Sequence, residues 1–120
     1  MRGDEYLKKG EQFSLVYNRG SFFKDRLLSM RSMPNGLGFS RYGLIVNRRV
    51  GKAVTRNRIK RLLREILRQT PLKPGWDIVF FSGPLTAGAD YGKIKDATLS
   101  LLLKARLILE NYETVHSRAN

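Results

Sequence analysis

Gly51-Lys52-Ala53-Val54-Thr55-Arg56-Asn57-Arg58-Ile59-Lys60-Arg61-Leu62-Leu63-Arg64-Glu65 separates into two faces when wound at about 100° per residue. Ile59, Leu62, Leu63, Ile66 and Leu67 make one apolar stripe. Arg56, Lys60, Arg64 and Arg68 follow an i, i+4 row along its flank, Asn57 and Arg61 continue the polar arc, and Arg58 lies on its far side. The pattern predicts a helix from about 53 to 69, opened by Gly51 and closed by Pro71 and Pro74-Gly75. One face can dock on a sheet while the other presents positive charge.

The flanking segments supply that sheet. Residues 41–47 alternate, with Tyr42, Leu44 and Val46 on one face and Gly43, Ile45 and Asn47 on the other. Residues 76–81 are continuously apolar after Asp77, as in a strand covered on both faces. Strand, basic helix and strand thus form a candidate βαβ crossover. Upstream, Phe13, Val16 and Tyr17 fall at helical spacing within a short helix over 8–18, ended by Gly20. Residues 21–33 read as strand, and Pro34-Asn35-Gly36 as a turn. Downstream, 82–88 reads as loop and Tyr91 to about Tyr112 as a Leu-rich helix, with a frayed tail over about 112–120. The expected fold is a single α+β domain spanning 1–120, with helices packed on a small sheet.

Charge narrows the function. The chain carries 23 Lys and Arg against 10 Asp and Glu, a net charge of +13. Between Arg41 and Arg68 ten basic residues face one acid, Glu65, a local charge of +9. Like charges four apart weaken a helix by roughly 0.2–0.5 kcal/mol per pair. A phosphate backbone would relieve that repulsion and release counterions. Three readings stay open on this evidence: a nucleic-acid face, a solvated charged face, and an amphipathic helix on an anionic membrane. Against the second, the acids needed for solvating ion pairs are missing. Against the third, the stripe is aliphatic and the neighbouring strands need covering.

Other classes recede. There is no cysteine, which excludes disulfides, thiolate catalysis and cysteine-ligated zinc. The only histidine is His116, in the expected tail, and no spaced carboxylate pair accompanies it. Glu65 sits among arginines, Asp77 opens a strand where it can cap or pair, and Asp90 and Asp96 lie around a helix start, where acids suit the dipole. No protein catalytic residue and no metal ligand is therefore expected. Met1-Arg2-Gly3-Asp4-Glu5 lacks the apolar core of a signal peptide, and no apolar run approaches the roughly 20 residues of a membrane helix. A cytoplasmic protein with no membrane partner is expected.

Phe13 and Tyr17 lie nearly in line on the first helix. Beside a sheet such a line can stack unpaired bases, at roughly 1–3 kcal/mol per base, or it can be ordinary core. Phe22 and Phe23 are assigned to the core.

Gly51-Lys52-Ala53-Val54, then Arg56-Asn57-Arg58 and Lys60-Arg61-Leu62-Leu63-Arg64-Glu65, closely resembles the signature of bacterial ribonuclease P proteins. The resemblance spans roughly residues 7 to 110. It includes Phe13 and Val16 before a glycine, a strand ending in Arg48 and Arg49, and Pro74-Gly75-Trp76-Asp77-Ile78-Val79. It implies an αβββαβα order with a mostly antiparallel sheet of about four strands. It also implies a left-handed βαβ crossover, where general rules favour a right-handed one. It implies the accessory subunit of a ribonucleoprotein endonuclease that removes the 5′ leader of precursor tRNA. The RNA is catalytic, Mg2+ belongs to the RNA active site, and the protein alone holds no cofactor.

The partners implied are the catalytic RNA and precursor tRNA. Arg48, Arg49, Lys52, Arg56, Asn57, Arg58, Lys60, Arg61, Arg64 and Arg68 are the RNA-binding candidates. Phe13, Tyr17, Gly43 and Asn47 would form a cleft for the single-stranded leader, with Gly43 leaving room and Asn47 offering a polar contact. The chain departs from the family pattern twice. Asn47, Arg48 and Arg49 stand where serine and two lysines are frequent. Phe80-Phe81-Ser82-Gly83-Pro84 offers no basic residue after the last strand, where the family often has one.

Overall fold

A computed structural model of the chain describes residues 5–109. Its elements are α1 (Gly10–Arg19), β1 (Ser21–Lys24), β2 (Leu28–Pro34), β3 (Arg41–Val46), α2 (Ala53–Gln69), β4 (Trp76–Ser82) and α3 (Tyr91–Lys104). Short 3-10 turns occupy Arg48–Val50 and Pro84–Gly88. The strands form one sheet in the order β1-β2-β4-β3. β1 pairs with β2, and β2 with β4, antiparallel; β3 and β4 run parallel. The α+β class, the αβββαβα order and the mostly antiparallel sheet are as expected, and α2 joins two neighbouring parallel strands.

Side-chain alternation decides what each face covers. Leu28 and Met30 of β2, Ile78 and Phe80 of β4, and Tyr42 of β3 point to one face, where they share a core with α2 and α3. Four of the five expected stripe residues of α2 are fully buried there: Ile59, Leu63, Ile66 and Leu67. Leu62 packs on the edge of this core and is only half-buried. The opposite face carries a smaller core of Leu7, Val16 and Val79, with Phe13, Met33 and Phe81 beside it. This is the α1 side.

The β3–β4 register places Arg41 opposite Asp77. Arg41 donates from Nε to Asp77 Oδ1 at 2.8 Å and from Nη2 to Oδ2 at 2.7 Å. Asn35 Nδ2 adds a third bond to Oδ1 at 2.9 Å. Asp77 is buried, so its charge tolerates that position only with this partner set. A slip of one residue would separate the pair and turn every side chain to the wrong face.

The expected boundaries shift at four places. The first helix starts at Gly10, not residue 8, because the Gln12 side chain accepts from the Lys8 and Lys9 backbone N–H groups at 2.8 and 3.1 Å. β3 ends at Val46, and Asn47 instead caps the 3-10 turn by accepting from the Arg49 N–H at 2.8 Å. Within 82–88, Ser82 completes β4 and Pro84–Gly88 is the 3-10 turn.

The largest difference is α3, which stops at Lys104 rather than near Tyr112. Arg106 adopts a left-handed φ of 58°, and the chain folds back. Leu107 N–H donates to the Leu102 carbonyl at 3.0 Å, and Lys73 N–H to the Leu107 carbonyl at 2.8 Å. Ile108 forms an antiparallel bridge with Leu72. Leu107 and Ile108 are buried. Their apolar spacing continues the helical pattern, but it serves this return strand. Tyr112 and the expected tail over 112–120 lie outside the described residues.

Leu63→Ala and Ile66→Ala should each cost about 2–5 kcal/mol, because each opens a cavity beneath α2. Val54, 81% exposed on the same helix, should change stability by under about 0.5 kcal/mol when replaced by Ala. Urea unfolding checks this, and equal losses at all three positions would mean that α2 docks through a different face. Burial, reinforced by the negative charges of Glu5 and an ionised Tyr6, pushes the Tyr42 phenol from 10.0 up to about 12. The fold therefore favours the neutral phenol. That stabilisation is intact below the unfolded pKa near 10 and is lost as pH rises through about 12. Tyr42→Phe should lose less stability than the parent chain across this window, measured as urea midpoints at several alkaline pH values.

Candidate nucleic-acid interface

The outer side of α2 and the turn before it form a cationic surface. Arg48, Arg49, Lys52, Asn57, Arg61, Arg64 and Arg68 are exposed, and Arg56, Arg58 and Lys60 half-buried. The N-terminus of α2 concentrates the effect. Lys52 provides no side-chain cap and the first turn contains no acid. The positive end of the helix dipole is thus surrounded by cations, an arrangement that favours an anion there.

Not all of these side chains are free. Arg58 donates from Nη2 to the Ala89 carbonyl at 3.2 Å, tying α2 to the end of the Pro84–Gly88 turn. Arg68 pairs with Glu65, which also accepts from Gln69 Nε2 at 2.8 Å. The Arg68 hydrogen bond holds the Glu65 carboxyl below its ordinary range. Arg56 Nε is buried with no partner among the described residues. Arg64 lies over the Tyr6 ring, 5.8 Å from its centre.

The second feature lies on the other face of the sheet. α1 covers only part of this face. Phe13, Ser14, Tyr17, Asn18, Ile45 and Phe81 line a groove of about 290 Å3. Tyr17 is 57% exposed and meets Phe81 edge-on, with ring centres 6.3 Å apart. Phe13 is half-buried beside the small core. Gly43 does not leave an open floor, contrary to expectation. A Cβ there would sit 2.3 Å from Phe13 Cε1, so the ring fills the space. Asn47 is exposed at the end of β3, its Oδ1 committed to the turn and its amide nitrogen left over.

Two residues extend the groove beyond what the sequence suggested. Arg31 of β2 places its guanidinium 4.7 Å from the Tyr17 ring centre and 4.8 Å from that of Phe22. Phe22, expected in the core, is 52% exposed; it sits on the edge strand β1, facing Arg31 across the β1–β2 ladder. Phe23 packs against the core as expected. The alternation of β2, with Leu28, Met30 and Ser32 buried between half-buried neighbours, was the signal that could have placed Arg31 on this face.

The groove and the cationic surface meet. Lys60 and Arg64 of α2 share a pocket of about 340 Å3 with Phe13, Tyr42, Gly43 and Leu44. Four carboxylates have partners: Asp77 in Arg41, Glu65 in Arg68, Asp90 in the Lys93 N–H, where it caps α3 (2.9 Å), and Asp25 in the Leu27 N–H (3.3 Å). Among the described residues no group of three or more His, Cys, Asp or Glu is placed to hold a metal. No described helix is long and apolar enough to cross a membrane. His116 lies outside the described residues.

Comparison with known proteins identifies the family. The family described as Ribonuclease P matches residues 1–106. A ribonuclease P protein component from Dehalococcoides mccartyi is 39% identical over 120 residues, covering 100% of both chains. One from Caldanaerobacter subterraneus is 41% identical over 106 residues, covering 87% of this chain and 91% of that one. The solved RNase P protein from Thermotoga maritima superposes with a TM-score of 0.73 at 30% identity, covering 82% of this chain and 94% of that one. The Staphylococcus aureus RNase P protein, at 23% identity, shares the fold with a TM-score of 0.80, covering 88% and 98%.

Proposed function

The chain belongs to the bacterial ribonuclease P protein family, and from that membership we propose how its two surfaces divide the work. It is the protein component of the ribonucleoprotein endoribonuclease that matures the 5′ end of tRNA, and as such it associates with the ribonuclease P RNA and with precursor tRNA. The cationic surface of α2 and the Arg48–Val50 turn holds the catalytic RNA. The groove between α1 and the sheet holds the single-stranded 5′ leader. The observation that carries this division is that exposed aromatics and uncompensated cations occupy different faces yet meet at the pocket of Phe13, Lys60 and Arg64.

The chemistry follows from the residue types. Arg48, Arg49, Lys52 and the start of α2 neutralise phosphates, a contact that orients without reading sequence. Asn57, Arg61, Lys60 and Arg64 continue that surface along the helix. Arg58 and Arg68 contribute the donors left over from their internal bonds. In the groove, Tyr17 offers a ring face to an unstacked base, and Phe13 sets the position of α1 on the sheet beneath it. Arg31, held between two rings, is available for stacking or phosphate contact. From the same membership, Mg2+ is assigned to the RNA active site. The protein assists by lowering repulsion between the two RNAs. A cytoplasmic setting is part of the same reading.

Reconstitution with ribonuclease P RNA and precursor tRNA tests it, by comparing cleavage with and without the protein. An Arg56→Ala, Arg61→Ala variant should retain its fold, bind the catalytic RNA more weakly and show a log–log salt slope reduced by about 0.7–0.9 per lost phosphate contact. An unchanged slope would remove α2 from the RNA interface. Tyr17→Ala should weaken binding of precursor tRNA that carries a leader and leave mature tRNA unaffected, since stacking acts only on a base that reaches the ring. Tyr17→Phe should behave as the parent chain. Equal losses for both substrates would exclude a leader-specific role.

A further inference from the structure

Beyond the groove, where β3 and β4 end and β1 turns into β2, lies a separate hollow of about 280 Å3. It shares Ile45 and Phe81 with the groove, so the two are continuous. Its remaining walls include Lys24, Asp25 and Arg26 of the β1–β2 turn, Asn47, and Ser82 and Gly83 at the end of β4. We infer that this hollow is a phosphate-binding subsite for the single-stranded leader, with Lys24 and Arg26 as counter-charges and Asn47 as a directional donor. The inference rests on the groove being the leader's path.

Three observations support it. Lys24 and Arg26 are exposed and form no ion pair among the described residues. The Asn47 oxygen is taken by the Arg49 N–H, so the Asn47 group facing outward is its N–H2 donor. Lys104 also reaches this corner, donating from Nζ to the Lys24 carbonyl at 3.4 Å. Asp25 opposes these charges, with its Oδ1 accepting from the Leu27 N–H at 3.3 Å, and the side chains of residues 24–26 still sum to +1.

The available groups are therefore mostly donors and cations, the complement of a phosphodiester oxygen. β4 itself ends without a cation in Phe80-Phe81-Ser82-Gly83-Pro84. The fold supplies charge to that edge from β1, two strands away in the sheet order.

The test uses holoenzyme reconstituted with ribonuclease P RNA. Affinity is measured for precursor tRNAs of increasing leader length and for mature tRNA, each across a KCl titration. A Lys24→Ala, Arg26→Ala variant should lose affinity only once the leader is long enough to reach the hollow. Its salt slope should fall by about 0.7 per lost contact. Lys24→Arg with Arg26→Lys should restore both.

The subsite is overturned if the folded double variant binds long-leader substrate as the parent chain does, or if it loses the same factor for mature tRNA or for catalytic RNA. Tyr17→Ala in the same assay separates the failures. A leader-dependent loss in Tyr17→Ala alone removes the hollow and keeps the groove. Loss in neither removes both. A leader-dependent loss in the double variant alone supports the subsite and removes the stacking role of Tyr17.

Discussion

A parallel pairing between β3 and β4 is the constraint from which the rest of this molecule follows. Two antiparallel neighbours can be joined by a tight turn, but parallel neighbours need a crossover long enough to return to the starting edge, and a helix is the usual solution. Here the crossover is α2, 17 residues long. Its apolar stripe is drawn onto the sheet by burial of Ile59, Leu63, Ile66 and Leu67, and its cations are thereby forced outward. Arg41 and Asp77 hold the register at one end of the strand pair. Losing either charge would leave the other half of a largely buried pair uncompensated, at a cost of about 3–5 kcal/mol. The position of the basic surface is thus a consequence of strand pairing, not of the helix alone.

The other face of the sheet shows how a groove survives beside a core. Ten-residue α1 is too short to cover four strands. Its contact with the sheet depends on Gly43, the one residue type that lets the Phe13 ring approach β3 so closely. With Val16 buried and Phe13 wedged in place, α1 cannot slide across to cover Tyr17, Ile45 or Phe81. Exposing those groups costs hydrophobic free energy. Arg31 offsets part of it by stacking between Tyr17 and Phe22, a contact worth about 0.5–1 kcal/mol per ring at an exposed site. The same contacts hold the Arg31 guanidinium between the two rings.

How much of this was legible in residues alone depended on whether local pattern or long-range geometry decided the outcome. α2 was readable to its ends, because a wide apolar stripe, flanking glycine and proline, and a one-sided charge distribution all agree. The two faces of β3 were readable from strict alternation. The end of α3 was not. Leu107 and Ile108 keep the helical spacing of Leu101 and Leu102, and no glycine or proline marks the reversal at Arg106; the competing partner is the Leu72 backbone, far away in the chain. The space above Gly43 was misjudged for a related reason. A glycine signals close approach without saying whether ligand or side chain approaches. Phe22 was assigned to the core because its ring is apolar, while its exposure follows from lying on an edge strand that α1 does not reach. The two-part candidate site was legible as residue types; the pocket that joins its parts, through Lys60, Arg64 and Phe13, needed the fold.

The cationic surface also sets a limit on the stability of the free protein. Arg56, Lys60 and Arg64 repel one another along α2, and Arg48, Arg49 and Lys52 crowd a helix end that already carries partial positive charge. Elsewhere in the fold, three acids are placed to answer positive charge: Asp90 caps α3, Glu65 answers Arg68 at the far end of α2, and Asp77 answers Arg41. At the start of α2 no acid is provided. A single acid in that turn would improve the isolated helix by about 0.3–1 kcal/mol, and it would repel any phosphate arriving there. If the proposed RNA contact is made there, the partner supplies that stabilisation, and mass action makes the bound protein more stable than the free one by an amount that grows with the logarithm of its affinity. Arg58 marks the boundary of this principle. Once a cation is turned toward the Ala89 carbonyl, it gives up part of its capacity for an external phosphate and gains a structural task, fastening the crossover helix to the turn that follows β4.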